Sequence, residues 1–135
     1  MKKQIHVVGA VIVKSGRILC AQRGSGGSLA GMWEFPGGKI EPEETARQAL
    51  VREIDEELDC RVDVGGEITT TSHEYDFGVV HLTTFYCDLV EGDPRLSEHE
   101  EVRWLGPHEL ELLEWAPADI PAVHLVRDAL IGNDL

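Results

Sequence analysis

Gly38-Lys39-Ile40-Glu41-Pro42-Glu43-Glu44, taken with Arg52-Glu53-Ile54-Asp55-Glu56-Glu57-Leu58-Asp59-Cys60, decides how this chain is organised. Through it Ala46, Leu50, Ile54 and Leu58 recur every fourth residue, and at about 100° per residue that spacing draws one apolar stripe along a helix. The pattern predicts a helix over 43–58, with Pro42 just before its first turn. Glu43 and Glu44 would sit where the backbone dipole favours negative charge. Glu53, Glu56 and Glu57 then stand at i, i+3 and i+4 and share one face. Like charges at this spacing destabilise a helix by roughly a few tenths of a kcal/mol per pair. The arrangement becomes favourable if the face holds hard cations, because Mg²⁺ and Mn²⁺ prefer carboxylate, carbonyl and water oxygens. A solvated acidic face is the plainer reading. Against it, the carboxylates adjoin the apolar stripe, Arg52 is set among them within reach of Glu56, and a glycine loop precedes the helix at a fixed distance. The backbone of such a loop can approach a phosphate or a metal closely.

On the N-terminal side, residues 5–13 are apolar and rich in β-branched side chains, which predicts a strand; they lack the small-residue cleavage site of a signal peptide. Lys14 to Arg17 turn the chain, Ile18 to Arg23 return as a hairpin arm, and Gly24 to Ser28 form a flexible loop. Met32 to Phe35 is a short strand running into the sharp turn at Pro36-Gly37-Gly38. Beyond the helix, Gly66 to Tyr75 and Val79 to Val90 read as an antiparallel pair around Asp76-Phe77-Gly78, followed by a short strand at Val102 to Leu105. Pro107 to Leu110 opens a helical turn, and Ile120 to Ile131 has the spacing of a closing helix. This order suggests an α/β (α+β) fold, a mixed sheet with helices on both faces.

A chain of 135 residues is predicted to form one domain, 1–135. No apolar run approaches the roughly 20 residues of a membrane span. Cys20, Cys60 and Cys87 are odd in number and widely spaced, which argues against a disulfide framework or a zinc site and fits a reducing cytoplasm. A formal net charge of −13 argues against nucleic-acid polymers and anionic membranes as partners. It would repel a small polyphosphate too, unless cations neutralise part of the field.

Gly38, Glu44, Arg52, Glu53, Ile54, Glu56 and Glu57 resemble the Nudix box, a glycine, then Glu, then Arg-Glu-aliphatic-x-Glu-Glu at fixed spacing. The non-aliphatic matches arise by chance at roughly 10⁻⁴ over a chain of this composition. One departure stands out: Asp59 replaces the glycine that usually ends the helix, and Cys60 fills an aliphatic place. Aspartate tolerates the left-handed conformation better than most residues, so helix termination is what the departure puts in question.

The resemblance implies an α/β/α sandwich with Mg²⁺ or Mn²⁺ held by Glu53, Glu56 and Glu57 and by a carbonyl of Gly37 or Gly38. The metals would acidify a water for attack on phosphorus. Arg52 and Glu44 would orient the carboxylates. Glu98 and Glu100 are candidates for a further carboxylate from the loop before Trp104, with an exposed acidic loop as the competing reading. The likeness extends to Ala21-Gln22-Arg23, to Trp33 through Lys39 and to Ala116 through Pro121, which look like the MutT branch. Its members include CTP pyrophosphohydrolases and 8-oxo-dGTP diphosphatases. That implies a small nucleotide as partner, contacted by Arg23, Phe35, Lys39 and Asp119, in a monomer or homodimer. Asp119 would read the edge of the base, Phe35 would pack beside it, and Arg23 would approach phosphate or base. Each has a structural alternative: Phe35 as core, Asp119 as the cap of the last helix, Arg23 as surface. Other functions compatible with the box are hydrolysis of ADP-ribose, nucleotide sugars or dinucleoside polyphosphates. A nucleotide-binding module without catalysis is the alternative from another class.

Overall fold

The computed structural model describes residues 2–94 and 99–133. Along the chain run β1 (Gln4–Lys14), β2 (Arg17–Arg23), β3 (Trp33–Glu34), β4 (Gly37–Lys39), α1 (Ala46–Leu58), β5 (Arg61–Tyr75), β6 (Gly78–Glu91), β7 (His99–Leu105), 3₁₀ turns at Pro107–Leu112 and Pro117–Asp119, and α2 (Ile120–Asn133). The strands form a mixed sheet in the order β3-β2-β1-β6-β5, with β4 added to β1 and β7 to β2. β1 and β6 are parallel, and their connection passes through α1. The other pairings are antiparallel.

Period-two alternation in β1 explains the two layers. Val8, Ala10 and Ile12 pack with Leu50, Ile54 and Leu58 of α1. Val11 points to the other face and packs with Ala122, Val123 and Val126 of α2. Full burial of each such aliphatic side chain contributes about 1.5–3 kcal/mol. One edge of β1 is taken by β6 from Gln4 to Ile12. The opposite edge is divided, with Val7 to Gly9 pairing β4 and Val13 to Lys14 pairing β2. Pro36 bridges the gap, its carbonyl accepting from Ala10 N–H at 2.8 Å.

The helix does not start at Glu43. Glu43 has φ +71°, outside any right-handed helix, and Thr45 is the extended cap at φ −78°, ψ 162°. The Thr45 hydroxyl accepts from Gln48 N–H at 3.1 Å, and the Gln48 side chain accepts from Thr45 N–H at 2.9 Å. This reciprocal pair satisfies donors that Glu43 and Glu44 were expected to complement. Both glutamates therefore belong to the preceding loop. At the other end Asp59 adopts φ 53°, ψ 42° and donates its N–H to Asp55 O, so the aspartate ends the helix in the left-handed conformation that the box pattern assigns to glycine. β5 begins five residues before its expected start, because bulges around Gly65 and Gly66 absorb the irregularity without ending the pairing.

Candidate active site

Pro36-Gly37-Gly38 enters β4 so close to β1 that the backbone admits no side chain. A Cβ on Gly37 would lie 1.9 Å from the Val8 carbonyl oxygen. A Cβ on Gly38 would meet no backbone at that distance, but it would lie 2.4 Å from the Glu53 carboxylate. The glycine pair therefore sets the spacing between β4, β1 and the carboxylate face of α1.

Arg52 fastens the loop to the helix. Its guanidinium donates to Glu44 at 2.7 and 2.8 Å, to Glu53 at 2.9 Å, to Glu56 at 3.2 Å and to the Lys39 carbonyl at 3.1 Å. Glu44 also accepts from Glu41 N–H at 2.9 Å. The guanidinium, followed by that N–H, holds the Glu44 carboxyl down to about 2. The acidic environment in turn raises the Arg52 pKa, Glu44 being the main cause. Glu44 acts here by holding Arg52, and Arg52 by fixing Glu53.

The three helix carboxylates differ in surroundings. Glu53 lies against Gly38 with its side chain 15% exposed, whereas Glu56 is 59% exposed. Glu57 is buried and lines a cavity together with Gly37 and Gly38. Among the described residues no three Asp, Glu, His or Cys side chains form a ready metal cage. The donor set still suits a hard cation of the magnesium type, which binds through one or two carboxylates and completes its shell with waters and substrate phosphates.

That cavity, about 750 Å³, runs from the glycine–carboxylate end to Asp119. Asp119 is brought there by the main chain at 114–116. Trp33 N–H donates to Glu114 O at 2.8 Å, and Ala116 N–H donates to Trp33 O at 2.9 Å, which lays this segment beside β3. The Asp119 carboxylate is buried and accepts from Phe35 N–H at 3.0 Å across the fold. The capping reading of this residue is thus replaced by a tertiary bond. Burial first, then the nearby Glu34 charge, push its pKa from 3.8 up to about 8, against the Phe35 N–H and Arg23, which pull it down. A folded state that keeps its proton where the unfolded chain has released it is stabilised below pH 4. That contribution is lost as pH rises towards 8. We expect the wild-type melting temperature to fall between pH 5 and 8.5 relative to Asp119→Asn, a difference on the order of a few kcal/mol. Parallel melting curves for the two proteins would contradict this.

Arg23 lines the same cavity, donating to Glu34 at 2.9 Å and to Ser28 O at 2.9 Å, so it closes the glycine loop on itself. Phe35 is only 3% exposed and tilts against Trp115 at 4.9 Å, placing its ring in the core beneath the cavity. Lys39 is exposed at the glycine end. Glu98 lies outside the described residues; Glu100 falls in β7, with its side chain likewise outside them. Sequence reasoning passed over Glu34, Tyr75 and Phe77, all of which line the cavity. The aromatic residues on either side of Asp76 were the available signal, but they read only as a turn.

The NUDIX domain family model matches residues 7–125 of this chain. The CTP pyrophosphohydrolase of Escherichia coli K12 is 42% identical over 119 residues, 88% of each protein. The 8-oxo-dGTP diphosphatase of Proteus vulgaris is 38% identical over 98 residues, covering 72% of this chain and 86% of that one. The solution structure of DNA mismatch repair protein MutT (family Nudix hydrolase) from methicillin-resistant Staphylococcus aureus 252 superposes with a TM-score of 0.79 at 54% identity. The match covers 96% of this chain and 99% of that one.

Proposed function

The chain belongs to the Nudix hydrolase family, and we propose that it converts nucleoside triphosphates to the monophosphate and pyrophosphate, acting on cytidine or on oxidised and otherwise modified (d)NTPs such as 8-oxo-dGTP. One observation carries this reading: a single cavity joins a carboxylate–glycine end, suited to phosphates and cations, to a buried carboxyl suited to a base.

At the first end Glu53 and Glu57, a carbonyl of Gly37 or Gly38, and Glu56 at the exposed edge would hold Mg²⁺ or Mn²⁺. When bound, the cation neutralises the polyphosphate and makes water a better nucleophile. Arg52 keeps Glu53 oriented, and Glu44 keeps Arg52 in place. Lys39 and Arg23 supply positive charge along a chain that is otherwise strongly acidic. At the far end Asp119 holds a proton near neutral pH. One oxygen remains committed to Phe35 N–H. It can therefore present either a donor or an acceptor to the edge of a base. A carboxyl with both capacities suits cytosine and oxidised guanine, whose edges differ in where donors and acceptors fall.

No helix among the described residues is long and apolar enough to cross a membrane. Cys20, Cys60 and Cys87 are buried free thiols, and burial pushes Cys20 and Cys87 up to about 12. Three cysteines without a disulfide among them fit a reducing compartment, and we assign a cytoplasmic enzyme acting on small nucleotides as a monomer or homodimer.

The test is product release with Mg²⁺ across CTP, dCTP, 5-methyl-dCTP, 8-oxo-dGTP, dGTP, ADP-ribose and a dinucleoside tetraphosphate. We expect turnover to concentrate on the cytidine and oxidised-guanine triphosphates. Activity on ADP-ribose or the dinucleotide alone would overturn the substrate assignment, and silence across the panel would favour a binding module.

A further inference from the structure

The cavity has an aromatic wall that the roles above leave unused. β5 and β6 meet at Asp76-Phe77, where Tyr75 pairs with Gly78. The Phe77 ring lies parallel to that of Tyr75, 6° between planes and 5.1 Å between centres. Tyr75 thus covers one face of Phe77, yet Phe77 is still 44% exposed. Isolated exposed apolar residues are common and need no explanation. This one lines the cavity and is held on a rigid support.

The support is tied down at both ends. The Tyr75 hydroxyl accepts from Ala118 N–H at 2.8 Å, joining the hairpin to the 3₁₀ turn that carries Asp119. On the other side Lys2 donates to the Tyr75 carbonyl at 2.9 Å, and Val79 N–H donates to Lys3 O at 2.8 Å. A Cβ on Gly78 would lie 2.8 Å from that same Lys3 carbonyl, so the turn is seated closely on β1. Phe77 and Asp119 are therefore positioned by one connected piece of backbone.

The surroundings indicate what such a ring would meet. The cavity it lines is also lined by the apolar Ile5, Val80, Ala116 and Ala118, and by Glu57 and the glycine pair assigned to the phosphates. A nucleobase is flat and apolar on its faces and polar only at its edge, so it needs a stacking surface beside a hydrogen-bonding group. We propose that Phe77, backed by Tyr75, is the stacking surface for the substrate base, and that Tyr75 is the positioning residue that holds it in register with Asp119. This rests on the assignment of the cavity to a nucleotide.

The experiment compares wild type, Phe77→Ala, Phe77→Trp and Tyr75→Phe by calorimetric binding of CMP and 8-oxo-dGMP and by steady-state kinetics with the triphosphates. Loss of a base-stacking ring weakens binding about tenfold to a hundredfold. We expect Phe77→Ala to raise Kd and KM by that factor, with little change in kcat, and Phe77→Trp to restore both. Tyr75→Phe, which keeps the ring and loses the Ala118 bond, should narrow the difference in affinity between the two monophosphates. Wild-type binding with an unchanged affinity in Phe77→Ala would overturn the proposal alone. Failure of the wild type to bind either monophosphate or to hydrolyse either triphosphate would overturn the nucleotide assignment and the proposal with it.

Discussion

Glu57→Gln is expected to reduce kcat/KM by roughly a thousandfold while leaving the melting temperature within a few degrees of wild type. Glu57 is a buried charged side chain facing the cavity, on the same helical face as Glu53. Glutamine has the same shape, so the packing of Leu58 and Ile54 beside it is undisturbed. What it cannot do is bring anionic oxygen to a cation or a reacting water. Kinetics and thermal melts on the same preparation separate the two effects. Turnover within tenfold of wild type would mean that the carboxylate face of α1 is not where the chemistry occurs.

Adjacent glycines should give opposite outcomes, and this is the second large effect. Gly37→Ala places a methyl group 1.9 Å from a main-chain oxygen of β1. Neither backbone can yield without separating the ladder of Val7 to Gly9 with Gly37 to Lys39. We expect a loss on the order of 3 kcal/mol or more, seen as a fall in denaturant midpoint and poor recovery of folded protein. Gly38→Ala meets instead the end of a movable side chain, the Glu53 carboxylate at 2.4 Å. Glu53 can swing aside within its rotamers, so the fold should persist. Activity should fall about a hundredfold, because a displacement of roughly 1 Å in a positioned group is enough for that. If Gly37→Ala proved as stable as wild type, or Gly38→Ala as active, the close approach of β4 to β1 and α1 would be wrong.

Much of this architecture was legible from side-chain periodicity. The four-residue recurrence of Ala46, Leu50, Ile54 and Leu58 located α1, and the β-branched run at 5–13 located the central strand. What periodicity could not supply was the helix start, because Glu43 and Glu44 satisfy a dipole argument as well as Thr45 and Gln48 satisfy a capping argument. Only the backbone shows that Glu43 has φ +71° and that the cap won. Gly66 likewise looked like the beginning of a strand and proved to lie in a bulge within one. In the site, the spacing of Arg52, Glu53, Glu56 and Glu57 put them on one face, but it could not show that Arg52 spans from Glu44 to Glu56 while Glu56 stays exposed. Tyr75 and Phe77 were illegible for a different reason. Their role depends on Ala118, 43 residues beyond Tyr75 in sequence, and no local pattern encodes that contact.

The divided edge of β1 carries a mechanical consequence. On the two sides of the sheet so divided, the layers of the molecule line one cavity, α1 contributing Glu57 and the segment before α2 contributing Asp119. On the proposed roles, the reacting end and the reading end of the cavity belong to opposite slabs of the sandwich. A substitution in either core that slides one slab against the other by a fraction of an ångström will misalign the leaving group before it unfolds anything. Packing residues far from the cavity thereby become tuners of rate.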